Sequence, residues 1–183
     1  MCCLLNRMSS SVSKQEYAQL VRQHASQVID FTQRLVQDRQ DAEEVAQDAF
    51  LKAYHALSTF KGESSFLTWL LRIAYHEGLN HLRRRRPYTV DIDAVSVVSE
   101  FSSLTSSIDD ELSTGREERI QLLEEAVSDL PPDDQLLLHL YYYDDRPLRD
   151  VAYIMEAEPN TLAVRLHRIR KRLLVTIQQK ENG

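Results

Sequence analysis

Two basic stretches carry the chain's most concentrated chemistry. The first is the run of four arginines at 83–86, which ends the segment FKGESSFLTWLLRIAYHEGLNHLRRRR at 60–86. The second is RLHRIRKR at 165–172, five positive charges and no acid. A guanidinium neutralises phosphate and can read guanine bidentately, while aromatic and amide groups stack on or bond to bases. The chemistry these residue types suit is therefore nucleic-acid contact. In the first stretch the candidates are Lys61, Trp69 (the only tryptophan), His76, Asn80, Arg83 and Arg84. In the second, Asn160, Thr161, Ala163, Val164 and His167 are placed to face bases. Arg165, Arg168, Lys171 and Arg172 are placed for bases or phosphates. A solvated basic helix end is the plainer account of either stretch taken alone.

No arrangement suited to catalysis stands beside them. The six histidines share no ligand spacing such as HExxH, and no glycine-rich phosphate loop is present. The only cysteines, Cys2 and Cys3, are adjacent and can frame neither a disulfide scaffold nor a zinc site. The acid pairs Glu43–Glu44 and Asp144–Asp145 lie in polar settings without an apolar pocket to shift a pKa. The expectation is a protein without metal, cofactor or small-molecule substrate, and not an enzyme. No apolar run reaches the roughly 20 residues of a membrane helix, so the chain reads as soluble, reduced and cytoplasmic.

The elements that must position the two stretches are helices. Four glycines and five prolines in 183 residues, with little β-branched alternation, give an all-α expectation. Apolar positions at Tyr17, Leu20, Val21, Val28, Phe31 and Leu35 predict a first helix. Asp41 with Glu44 three residues on resembles a capping box, followed by a strongly periodic helix through Ala42, Val45, Ala46, Ala49, Phe50, Ala53, Tyr54 and Leu57. Its outer face presents Asp41, Glu44, Gln47, Asp48 and Lys52, either a solvated face or an acidic docking surface. Gly62 can take positive φ in the following loop, and Ser64 or Ser65 can cap the Trp69 helix. That helix has Phe66, Trp69, Leu70, Ile73 and Ala74 inward, and Pro87 stops it.

Charge then divides the chain. Between Tyr88 and Glu118 eight acids face one Arg116, a net of −7 within a total of −6, so the remainder carries +1. Residues 88–115 show no sustained period and are rich in serine and acid. They read as a flexible acidic linker between two small helical domains, 14–87 and 116–183, after a disordered N-terminus at 1–13. In the second domain Ile120, Leu123, Ala126, Val127 and Leu130 predict one face, and Asp133 or Asp134 a cap. Leu148, Val151, Ala152 and Met155, a turn at EAEPN, and Leu162, Leu166, Ile169, Leu173 and Ile177 predict a helix-turn-helix. Its turn carries Glu156 and Ala157 where glycine is usual.

DAEEVAQDAFLKAYHAL with the 60–86 segment resembles region 2 of the extracytoplasmic-function (ECF) sigma factors of bacterial RNA polymerase. LPPDDQLLLHLYYYDDRPLRDVAYIMEAEPNTLAVRLHRIRKRL resembles their region 4. The resemblance implies a transcription initiation factor with core RNA polymerase (β′ clamp helices, β flap), promoter DNA and an anti-sigma factor as partners. It implies that Asp41, Glu44, Gln47 and Asp48 dock on the polymerase. The minus-10 element would be read by Lys61, Trp69, His76, Asn80, Arg83 and Arg84, with Trp69 as much an anchor as a contact. The minus-35 element would be read by residues 160–172. The competing expectation is a stand-alone helix-turn-helix regulator that binds duplex DNA without polymerase.

Overall fold

The computed structural model describes residues 14–85 and 116–181; the expected N-terminal tail and linker lie outside them. The described residues form two helical units. The first comprises α1 (Lys14–Val36), α2 (Arg39–Ala56), a 3₁₀ turn (Leu57–Thr59) and α3 (Phe66–Arg85). The second comprises α4 (Arg116–Ser128), α5 (Pro132–Leu138), a π turn (His139–Tyr143), α6 (Leu148–Met155) and α7 (Pro159–Glu181).

Helix α2 buries Ala42, Val45, Ala46, Ala49 and Ala53. Four alanines on one face let α1 and α3 come close, and two polar bonds fix the register. Thr32 directs its hydroxyl at the Ala42 carbonyl (2.9 Å), and the Tyr17 hydroxyl donates to the Phe50 carbonyl (2.6 Å). The expected cap of α2 is displaced by one turn. Asp38, not Asp41, is the N-cap, accepting from the Asp41 amide at 2.9 Å. That frees the Asp41 side chain to turn inward. At Gly78, helix α3 lies so close to α1 that an added Cβ would stand 2.3 Å from Leu35 Cδ2. Leu35 is itself fully buried.

The second unit packs α7 against α4, α5 and α6. Leu162, Leu166, Ile169, Leu173 and Ile177 of α7 are all buried, as the spacing predicts. Of the face expected for α4, Ala126, Val127 and, just past the helix, Leu130 pack inward, joined by Leu122, whereas Ile120 and Leu123 are exposed. Pro131, not Asp133 or Asp134, precedes α5, with no side-chain cap.

Helix α3 is the centre of the molecule. Leu71, Tyr75, Glu77 and Gly78 are buried in addition to the expected stripe, an arc too wide for one interface. Helices α1 and α2 cover one side of it and α6 covers another. The two units thus pack together rather than standing apart.

Candidate nucleic-acid interface

The loop before α3 is shaped by Gly62, at φ +73, and closed by Ser65, whose Oγ accepts from the Thr68 amide at 3.0 Å. Of the two serines the sequence left open, Ser65 is the cap. Directly behind it Phe60, Phe66 and Trp69 form an aromatic cluster, with Trp69 centroids 5.2 and 5.8 Å from the two phenylalanines. Trp69 is only 9% exposed. Its ring packs in the core, the position of the anchor that the sequence reading weighed against a nucleic-acid contact. What the cluster does is fix the start of α3 against the loop that carries exposed Lys61.

From that anchor a polar stripe runs down α3. Arg72, His76, Asn80, Arg83 and Arg84 follow at near-helical spacing; the middle residues are half-buried and the last two exposed. Arg72 was missed in the sequence reading, although it lies one turn before His76 on the same face. Arg85 departs from the run by pairing with Asp41 across to α2, and His81 Nε2 sits 3.4 Å from the same carboxylate.

That pairing divides the acidic face of α2. Asp41 is buried and faces α3, so it is removed from the docking surface expected of it. Glu44, Gln47 and Asp48 remain exposed. Leu51, 60% exposed, follows them at the next i+3 step and puts an apolar residue in the same surface. Lys52 leans back to buried Glu77 of α3 at 2.6 Å.

The helix-turn-helix is α6, a three-residue turn and α7. Glu156 ends α6 in the left-handed region (φ 51, ψ 45), and the Glu156 and Ala157 amides both bond back to the Ala152 carbonyl. The Ala157 bond is the 6→1 bond of a Schellman end and the Glu156 bond the 5→1 bond of the simpler left-handed cap, both usually built on glycine. A non-glycine residue held there costs on the order of 1 kcal/mol or more. Along α7, Asn160, Thr161, His167, Arg168, Lys171 and Arg172 are exposed, and Ala163 and Val164 are half-buried. Arg165 is drawn aside: its Nε is 2.5 Å from Asp134 Oδ1, tying α7 to α5. A duplex contact would have to compete with that ion pair.

The Glu156 side chain reaches the first unit. It accepts from Arg72 Nε at 2.8 Å and lies 2.8 Å from His76 Nε2. Hydrogen bonds from His76 and Arg72 hold its carboxyl below the usual carboxylate range. The Arg72 guanidinium also lies over the Tyr153 ring, 4.6 Å from its centroid. Burial pushes the Tyr75 phenol up to about 12, with Asp133 of the second unit adding to the effect. Burial and the positive charge of Arg34 push His139 down. Gln27, Asp30, Arg34 and Leu71 of the first unit and His139, Asp144 and Arg146 of the second line a cleft of about 280 Å³.

Comparison with known proteins follows the same two-part division. Residues 20–88 match the family model of Sigma-70 region 2, and residues 120–173 that of Sigma-70 region 4. The chain is 33% identical to the RNA polymerase sigma-H factor of Pseudomonas aeruginosa over 171 residues, 90% of this chain and 88% of the relative. It is 34% identical to the ECF RNA polymerase sigma-E factor of Escherichia coli over 135 residues, 72% of this chain and 71% of the relative. Its fold is similar to that of the sigma factor RpoE from Bartonella quintana, solved with the anti-sigma factor NepR. That match has a TM-score of 0.62 at 22% identity and covers 90% of this chain and 98% of the other. CnrH, solved with the cytosolic domain of CnrY, matches at TM-score 0.62 and 18% identity, over 96% of each chain.

Proposed function

The chain belongs to the ECF sigma factors of the sigma-70 family, and from that premise we propose how its surfaces divide the work of promoter recognition. It is an alternative sigma factor that directs promoter-specific transcription initiation; its relatives are regulatory subunits of RNA polymerase. The stand-alone regulator has no comparable support, because it leaves the region 2 match without a role.

The exposed face of Glu44, Gln47, Asp48 and Leu51 on α2 docks on core polymerase. Acid around a single apolar residue suits a basic helical partner: charge sets the register and Leu51 supplies desolvated area. Asp41 is assigned to holding α2 on α3. The loop with Lys61 and the α3 stripe of His76, Asn80, Arg83 and Arg84 take the minus-10 element. Unstacking a base costs a few kcal/mol, offset by contacts that exist only when the strand is open. A rigid helix anchored by Trp69 provides such contacts without ordering cost. Helix α7 lies in the major groove of the minus-35 element, with Asn160, Thr161, Ala163, Val164 and His167 toward the bases. Arg168, Lys171 and Arg172 take bases or phosphates, and Arg165 joins them only by leaving Asp134. An anti-sigma factor, as in the RpoE–NepR complex, is the natural inhibitor class.

The observation that carries this reading is the order of the two family matches along the chain, each falling on a unit that exposes a polar helical stripe. Core polymerase reconstituted with the purified chain tests it. The expected result is initiation at selected promoters and weak binding to duplex by the chain alone. Tight, salt-sensitive duplex binding without polymerase, and no association with core enzyme, would sink it.

A further inference from the structure

We propose that the turn of the helix-turn-helix is a latch that closes the second unit onto the minus-10 helix. Glu156 grips Arg72 and His76, and Tyr153 underlies Arg72. Arg146 adds a longer contact, its Nη1 3.4 Å from the Thr68 hydroxyl. Thr68, Arg72 and His76 stand at i, i+4 and i+8 of α3, and the same line continues to Asn80, Arg83 and Arg84. The latch therefore occupies His76, the first residue of the stripe that the proposed function gives to the opened strand, and the two turns of α3 before it.

Glu156 occupies a left-handed position where glycine would be unstrained. The strain is offset by what the side chain does: a carboxylate at this position reaches the other unit, and glycine cannot. All three partners are partly solvent-exposed, with side chains 37–44% accessible. Ion pairs of this kind are screened by salt and yield to competing charge. A phosphate backbone brings competing charge to Arg72 and His76 and repels Glu156, so strand and latch exclude one another. The closed form is an intrinsic restraint on DNA binding by the free chain, separate from any anti-sigma protein.

Small-angle scattering from the full chain at low ionic strength tests the latch without polymerase. Glu156→Lys is expected to raise the radius of gyration by several ångströms, and the charge swap Arg72→Glu with Glu156→Lys to bring it back toward the wild-type value. Glu156→Gly relieves the backbone strain yet removes the contact, so it too should open the chain while keeping its helical circular dichroism. Unchanged scattering from both Glu156 variants would overturn the latch. Binding to a fluorescent single-stranded minus-10 oligonucleotide rests additionally on the role given to α3. Opening accompanied by several-fold tighter binding supports both. Opening with no gain in binding keeps the latch and overturns the assignment of that stripe to the strand.

Discussion

The two units handle charge in opposite ways. In the first, charged and polar side chains join the helices: Asp41 to Arg85 and His81, Lys52 to Glu77, Thr32 to the Ala42 carbonyl. In the second, α7 is held by an apolar stripe with ion pairs toward its two ends, Arg165 to Asp134 and Lys180 to Glu125 and Asp129, while the cations between them point outward. A charged residue in the first unit is thus as often a joint between helices as part of a surface, whereas at the centre of α7 it faces outward. Trp69, uncharged but chosen by type in the same way, lies in the core. Trp69→Ala is expected to cost about 3–5 kcal/mol by emptying the Phe60–Phe66 cluster. Thermal melting should show the first unit losing stability in the absence of DNA. A variant that melts like the wild type but fails to open promoters would return Trp69 to the DNA.

Gly78 probes the same unit's close packing. An alanine there removes the helix penalty of glycine, worth about 1 kcal/mol, but drives a methyl group into Leu35. Overpacking of a filled core costs about 1–3 kcal/mol, so Gly78→Ala should be destabilising in urea. Asp41 and Asp48 test the divided acidic face. Asp41→Ala leaves His81 and Arg85 without their partner and is expected to lose roughly 1–3 kcal/mol of stability. Asp48→Ala should stay within about 0.5 kcal/mol in stability and weaken capture by core polymerase. The reverse pattern would place Asp41 on the docking surface.

Helix positions and the faces of α1, α2 and α7 were legible because apolar spacing alone decides them. Helix α3 was only half legible. Its first stripe follows from Phe66, Trp69, Leu70 and Ala74, but Leu71 and Tyr75 are buried by the second unit, a contact that no local period encodes. The cap of α2 was misplaced because Asp38 and Asp41 are both plausible by type, and only the fold shows that Asp41 is needed by Arg85. Glu156 was visible as a departure from the usual glycine. Its reason lies 84 residues away, on Arg72. The acid-to-base pattern of the chain points to the proposed surfaces; which charges are consumed inside required the packing.

The smallest expected effects separate reading from holding on α7. Arg168 is exposed and sits two turns after Asn160, near the positions placed to face bases. If it reads a guanine, Arg168→Ala should cost about 1–3 kcal/mol on the preferred upstream element and little on a changed base pair. Lys171, a point charge further along the helix, suits phosphate. Lys171→Ala should weaken every sequence by a similar small factor and lower the salt slope of binding by about 1. Both are to be measured with holoenzyme, so that the Glu156 contact is not what limits access. Equal sequence-independent losses for the two would leave α7 holding the duplex by charge alone, with base reading confined to its first turns.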